Sequence, residues 1–233
     1  MTNLYLLLDI GSIAFPLIFS FHPKLKFYKK WKALFLAIAI MMCLFIPWDI
    51  IFTIKGIWGF NTTYFSGITL FSLPLEEWLF FICIPFACVF THYSLLYFFP
   101  NMTLQNKHST IVTHILISVF VLLCVIFYDK WYTLINFLYA IVLLLLVKYK
   151  ANHLLKHYYL TFLVMLIPFF IVNGILTGSA IEHQVVWYNN AENLGIRLGT
   201  IPVEDVVYAF TMLLTVLTLT DYFDKRFSTL KAT

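Results

Sequence analysis

Seven long apolar runs, at about 4–21, 33–54, 75–98, 111–127, 132–147, 159–177 and 203–222, limit what this chain can fold into. A bilayer core of roughly 30 Å takes about 20 helical residues at 1.5 Å each, so runs of this length separated by polar loops read as membrane spans. The balance of the chain agrees: 62% hydrophobic and only 11% charged residues leave too little polar surface for a soluble domain. The expected fold is an all-α integral membrane protein with seven transmembrane helices.

If the runs alternate as spans, the fifteen Lys and Arg residues divide unevenly. Lys24, Lys26, Lys29, Lys30, Lys32, Lys107, Lys148, Lys150, Lys156, Lys225, Arg226 and Lys231 fall on one side, and Lys55, Lys130 and Arg197 on the other. The positive-inside rule then places the N-terminus outside and the C-terminus in the cytoplasm, an asymmetry that an even number of spans would spoil. The first run has no basic region before it, so it is expected to be a retained span and not a cleaved signal. The Lys24–Lys32 cluster, source of most of the net charge of +4, is expected to meet anionic lipid head groups; no nucleic-acid partner is expected.

Cys43, Cys83, Cys88 and Cys124 are scattered through apolar runs without C-x-x-C spacing and read as packing residues. His153 and His157 are spaced to share a helix face, as metal ligands do. They sit in a basic interfacial loop, "KYKANHLLKHYY", with no Cys or carboxylate nearby, so a solvated surface is the preferred reading and no metal is expected.

Two acidic pairs interrupt this apolar background. "SLPLEEWLFF" (72–81) carries Glu76 and Glu77 two and three residues after Pro74, and "TIPVEDVVYAF" (200–210) carries Glu204 and Asp205 in the same relation to Pro202. The pairs are 128 residues apart. Upstream, Asp49 in "LFIPWDIIFTIKG" aligns with Asn173 in "FFIVNGILTGSAI", and Tyr5 and Asp9 in "YLLLD" align with Tyr132 and Asn136 in "YTLIN". The chain therefore reads as two parallel three-helix repeats, related by an axis along the membrane normal. The expected boundaries are 1–100 for the first repeat, 101–130 for a linker with the fourth helix, 131–225 for the second repeat and 226–233 for a cytoplasmic tail. The fourth helix returns the chain so that the second unit can repeat the first one's orientation.

A carboxylate in hydrocarbon costs several kcal/mol, so intramembrane acids normally face a bundle interior and mark a site. First-turn acids after a proline also stabilise a helix N-terminus by roughly 0.3–1 kcal/mol. Adjacent helical residues point about 100° apart, so one acid of each pair can cap while its neighbour faces inward. Asp49 and Asp9 have no capping role, although a structural hydrogen bond to Asn or Tyr remains open for both.

Several chemistries lack their residues. No run carries a mid-membrane Lys for a Schiff base; there is no G-x-G-x-x-G flavin or nicotinamide fingerprint, no D-D-x-x-D cluster, and no G-x-S-x-G or H-E-x-x-H motif. What remains is carboxylates beside aromatics: Trp48, Trp58, Trp78, Trp131, Trp187, Tyr64 and Tyr188 fall on or near the outer side. Some of these form an interfacial belt. Trp48 and Trp78 lie within two residues of a candidate acid, an arrangement that suits carbocation chemistry: an acid protonates an alkene, ring faces stabilise the cation and a carboxylate removes a proton.

"PWDIIFTIKGIWGFNTTYFSGITLFSLPLEEWLFF" (47–81) and "VNGILTGSAIEHQVVWYNNAENLGIRLGTIPVEDVVYAF" (172–210) resemble the small, flavin-independent membrane type of lycopene cyclase, here in a single-chain fused form. The resemblance covers roughly residues 1–100 and 130–225 and rests on the paired P-x-E-E and P-x-E-D motifs with "WD" and "GIRLG". It implies a cofactor-free, redox-neutral isomerisation of lycopene to β-carotene through γ-carotene. The implied partners are lipid-dissolved lycopene, the membrane and other enzymes of the carotenoid pathway; the implied location is a cell membrane, a bacterial inner membrane. Glu76 or Glu77 and Glu204 or Asp205 are the candidate proton donor and acceptor, with Asp49 a further candidate. Trp48, Trp78, Asp9, Asn136, Asn173, Trp58 and Tyr188 are candidate supporting residues. Arg197 either holds one carboxylate ionised or meets lipid phosphate. Two alternatives stay open: a non-enzymatic carrier or small transporter using the paired carboxylates, and an enzyme acting on a related carotenoid.

Overall fold

The computed structural model describes residues 3–230. Residues 1–2 of the expected first repeat, and Lys231 with the end of the expected tail, lie outside the described residues. Six helices and six short strands occur in the order α1 (Leu4–Phe19), α2 (Trp31–Ile54), β1 (Trp58–Phe60), β2 (Thr69–Leu70), β3 (Leu73–Pro74), α3 (Leu75–Phe98), α4 (Asn106–Ile126), α5 (Trp131–Leu176), β4 (Val186–Tyr188), β5 (Arg197–Leu198), β6 (Ile201–Pro202) and α6 (Val203–Thr229). The protein is all-α in its framework. Five helical segments are long and apolar enough to cross a membrane: the stretch containing α2, then α3, α4, α5 and α6. At 16 residues α1 is shorter, reaching about 24 Å.

The expected loop between the fifth and sixth runs is helical, which corrects the sequence reading of 148–158. Helix α5 continues through it for 46 residues, broken only at Ala151, whose φ of −147° and ψ of 42° are non-helical. A straight helix would put Tyr132 and Asn173 about 60 Å apart. Instead both side chains reach the carboxylate of Asp205. Helix α5 therefore folds back at Ala151 into two antiparallel arms, 131–150 and 152–176. Helix α4 packs against this hairpin through Phe120 and Phe137 and through the hydrogen bond between Thr113 and Tyr159.

His153 and His157 consequently lie on a helix. His153 is 3.2 Å from Asp221, which also binds Lys225 at 2.7 Å, and His157 meets the carbonyl of Met102 at 3.1 Å. A carboxylate is thus nearby after all, contributed by α6. The pairing of Lys30 with Asp224 and the position of Lys32 over the Phe227 ring bring the start of α2 to the same end as the α5 bend and the α6 C-terminus. Basic residues from distant parts of the chain gather there. The opposite end holds the six strands.

That strand end carries the internal duplication most clearly. Strands β1 and β4 are 128 residues apart and pair with each other antiparallel, with Gly59 opposite Trp187 at the centre. Gly59 is required by close approach: a Cβ built there would lie 2.4 Å from the Trp187 ring. The hairpins β2–β3 and β5–β6 are related by the same offset, and each leads through a proline into an acidic first turn, of α3 and of α6. The Leu75 N–H donates to the Ile68 carbonyl at 2.9 Å and the Val203 N–H to the Ile196 carbonyl at 3.0 Å, again 128 residues apart. Equivalent backbone bonds thus fix both helix starts to the hairpins before them.

Candidate functional site

The duplicated helix starts sort each acidic pair into two environments. Glu76 is buried, and its Oε1 accepts the Ser66 N–H at 2.7 Å; Glu204 is buried, and its Oε1 accepts the Leu194 N–H at 2.7 Å. Each first acid therefore ties down the loop ten residues before it. Glu204 also accepts from Thr133 at 2.7 Å, and its carbonyl accepts from Asn136 at 2.8 Å, which fastens α6 to the first arm of α5. Neither Glu76 nor Glu204 reaches the cavity described next. The capping role expected for one acid of each pair is replaced by another: the first acid staples a loop and does not cap its own helix.

The second acids point the other way. Glu77 and Asp205 line a cavity of about 480 Å³ between α1, α3, the second arm of α5 and α6, closed at one end by β1 and β4. Asp49 of α2 lines it too, so three carboxyl groups meet in a largely apolar chamber. The repeat places one tyrosine on each second acid: Tyr5 donates to Glu77 Oε2 at 2.5 Å, and Tyr132 donates to Asp205 Oδ1 at 2.6 Å.

Beyond that shared pair the two halves diverge. Asp205 Oδ2 accepts a second hydroxyl from Tyr188 at 2.8 Å and lies 3.5 Å from the Asn173 amide nitrogen. The residue that matches Tyr188 in the first half is Phe60, which has no donor, and the residue that matches Asn173 is Asp49. Asp205 is thus held by two hydroxyl donors with an amide nearby. Glu77 has one hydroxyl and no amide, and it interacts electrostatically with both Asp49 and Asp205, which line the same chamber. Asp49 Oδ1 accepts from Trp58 Nε1 at 2.8 Å, while its buried Oδ2 has no partner.

Tyr188 lies outside the helices. Burial and the adjacent Asp205 carboxylate raise its hydroxyl well above the ordinary tyrosine range, so it stays protonated and remains a donor across the physiological range. Among the described residues, Arg197 makes no hydrogen bond to a carboxylate. Its guanidinium donates to the Thr200 carbonyl at 2.7 Å and to Asn190 Oδ1 at 2.9 Å, and it lies 5.8 Å from the centre of the Tyr188 ring. It braces the β5–β6 hairpin and the ring that holds Asp205, and its charge is near enough to act on the Asp205 carboxyl without touching it.

Trp48 and Trp78 stand outside the cavity. Trp78 donates to the Leu70 carbonyl at 3.3 Å on the exposed side of α3. Trp48 packs among Phe45, Phe52, Tyr139 and Tyr208 on the α2–α6 side. Under the alignment of Asp49 with Asn173, Trp48 matches Val172, which lines the cavity. A large ring fills the space on one side of the pseudo-dyad that a small side chain leaves open on the other. Asp9 is buried with neither carboxyl oxygen partnered, and it does not line the cavity.

Sequence reasoning left Tyr5, Tyr132 and Tyr208 out of the site. The first two were visible as repeat-matched positions, and the spacing of Tyr208, three residues after Asp205 on the same helix face, was the available signal for the third. All three line the cavity.

A family model described as lycopene cyclase matches residues 2–95 and 129–223, the two regions whose acids converge on this chamber. The chain belongs to the lycopene cyclase family. No curated protein and no solved structure matches it. Membership makes it an enzyme of carotenoid biosynthesis that cyclises a carotenoid such as lycopene, and the carrier reading gives way. Its long apolar helices fit a multi-pass membrane protein.

Proposed function

We propose that the protein is a lycopene β-cyclase that works without a redox cofactor, by acid–base catalysis in the cavity shared by the two repeats. The supporting observation is the unequal treatment of its repeat-related acids. Glu77, which shares the chamber with Asp49, is the proton donor: carboxyl groups that interact in one apolar chamber do not both ionise readily and retain a proton between them. Asp205, with donors from Tyr132, Tyr188 and Asn173, is the base.

The steps balance without electrons entering or leaving. The Glu77–Asp49 pair adds a proton to the terminal double bond of the ψ end, leaving a tertiary cation. The neighbouring double bond attacks that cation, forms the carbon–carbon bond of a six-membered ring and moves the positive charge onto a ring carbon. Asp205 removes the proton from the newly bonded ring carbon, creating the β-ionone double bond. The faces of Trp58, Tyr132, Tyr188 and Tyr208 line the chamber and stabilise the cation. Cyclising one end gives γ-carotene and cyclising the second gives β-carotene.

The same reading places seven helices in the membrane, counting α1 and the two arms of α5. The strand end is outside and the basic end is in the cytoplasm of a bacterial inner membrane. The collection of Lys residues opposite the strands supports this orientation.

Isotope labelling tests the chemistry. Purified protein in vesicles is given lycopene in D2O, with no flavin or nicotinamide. β-Carotene should form with one deuterium retained per ring, since carboxyl protons exchange with solvent between turnovers. A requirement for a redox cofactor, or product without deuterium, overturns the mechanism.

A further inference from the structure

The cavity opens sideways, and the residues at that opening are not used by the acid–base steps. On α1, Leu7, Gly11 and Phe15 both line the cavity and face outward, Leu7 being 64% and Phe15 60% exposed. They are spaced four apart and form a single row along one helix face. On the second arm of α5, Pro168 and Ile171 do the same, Ile171 being 60% exposed. A surface that belongs to the chamber and to the exterior at once is the rim of an opening. At Gly11 a Cβ would meet nothing within 4 Å, so the row is interrupted there by open space.

The opening is bounded on the strand side. There α1 and the second arm of α5 meet through Tyr5, Leu8, Val172 and Leu176, in a cluster that also holds Val185 and Val186. Further from the strands both helices carry apolar rim residues, and the adjacent Ser12 donates its hydroxyl to the Leu8 carbonyl of its own helix. On the pseudo-symmetric face, between α2 and the first arm of α5, Phe45 and Trp48 pack against Tyr139, and Trp48 fills the space that Val172 leaves.

We propose that the row Leu7, Gly11 and Phe15 on α1, with Pro168 and Ile171 opposite, is a lateral portal through which a long polyene enters from the bilayer and in which its unreacted tail rests. The choice of occupant rests on the cyclase reading. Glu77 and Thr91 both line the chamber and are fourteen residues apart on α3, about 21 Å along the helix. An end group placed at the acids therefore lies at the strand end, with an apolar slot running down the helices behind it. The remaining tail leaves between α1 and α5 at the depth of the rim. An apolar chain gains nothing from an aqueous route and loses no burial by staying in lipid. A rim without hydrogen-bonding side chains suits a hydrocarbon and no polar substrate.

The test compares Gly11→Trp, which places a large ring in the opening, with Ile10→Trp. Ile10 is 53% exposed on the same helix and does not line the cavity. Both variants and the wild type are reconstituted in vesicles carrying lycopene. Two quantities are measured: kcat/KM for cyclisation, and lycopene retained by the protein on purification from those vesicles. Thermal midpoints check that both variants fold. The portal predicts that Gly11→Trp lowers kcat/KM about tenfold or more and lowers retained lycopene in parallel, with Ile10→Trp within about twofold of wild type. Should Gly11→Trp destabilise the protein, Ile171→Trp carries the same expectation from the opposite rim. Equal behaviour of the rim variants and Ile10→Trp, in either direction, overturns the portal. Wild type that retains lycopene without cyclising it overturns the catalytic reading alone, and the retention pattern still decides the portal. Wild type that neither cyclises nor retains lycopene overturns both.

Discussion

Removing the hydroxyl of Tyr188 isolates the feature that distinguishes the two acids. Tyr188→Phe deletes one donor, 2.8 Å from Asp205 Oδ2, and keeps the ring, so the second half of the site comes to resemble the first, where Phe60 occupies the matching place. Tyr132 at 2.6 Å remains on the other oxygen, and Asn173 at 3.5 Å is too long to replace the lost bond. A hydrogen bond to a charged group contributes about 1.5–3 kcal/mol. If Asp205 must be ionised to take the ring proton, that loss appears in the rate. At about 1.4 kcal/mol per factor of ten, kcat for cyclisation should fall between about ten- and a hundredfold. KM should change little, because the hydrocarbon substrate makes no bond to the hydroxyl. Initial rates in lycopene-loaded vesicles, read by chromatography of the pigments, give both numbers. The reciprocal variant Phe60→Tyr adds a hydroxyl on the Glu77 side and should not restore the rate. A Tyr188→Phe enzyme within twofold of wild type would refute the assignment of Asp205 as a carboxylate held by its donors.

Other changes probe the frame around the site. Glu204→Leu leaves the Leu194 N–H and the Thr133 hydroxyl without their acceptor and should cost about 1–3 kcal/mol, read as a lowered thermal midpoint in detergent, while Glu204→Gln keeps an acceptor oxygen and should stay close to wild type. Gly59→Ala pushes a methyl group into the Trp187 ring and should destabilise the β1–β4 pair by about 1–3 kcal/mol in the same assay. Trp58→Phe strands Asp49 Oδ1 without its donor and should lower cyclisation without unfolding the protein, as judged by activity against thermal midpoint.

The long helices and the repeat were legible because apolar runs and a fixed offset are properties of the chain itself. Pro74 and Pro202, followed by their acids, marked the starts of α3 and α6 to the residue. In sequence the α5 hairpin reads as two helices with a loop, since "KYKANHLLKHYY" is polar enough to suggest one; within α5 the backbone leaves helical geometry at the single residue Ala151. The six strands escaped because each is two or three residues long and their turns lack the usual Asn-Gly signal. Phe71 and Ser72 carry the positive φ of the β2–β3 turn, at 52° and 69°. Sequence also ranked Trp48 and Trp78 by nearness to an acid along the chain, but on a helix the neighbouring residue points elsewhere. Trp58 and Tyr188 are candidate supporting residues in the sequence, but which acid each one reaches depends on the β1–β4 register, which no local pattern encodes.

The central claim, one acid–base chamber assembled from both repeats, is tested most directly by the pigments of lycopene-producing cells that express single amide variants. Glu77→Gln and Asp205→Asn should each leave the cells with lycopene and no cyclic carotenoid, while Glu76→Gln and Glu204→Gln, which retain their loop contacts through an amide oxygen, should still make β-carotene. Wild-type amounts of β-carotene from either Glu77→Gln or Asp205→Asn, or γ-carotene accumulating in one of them as separate sites for the two ends would produce, would contradict it.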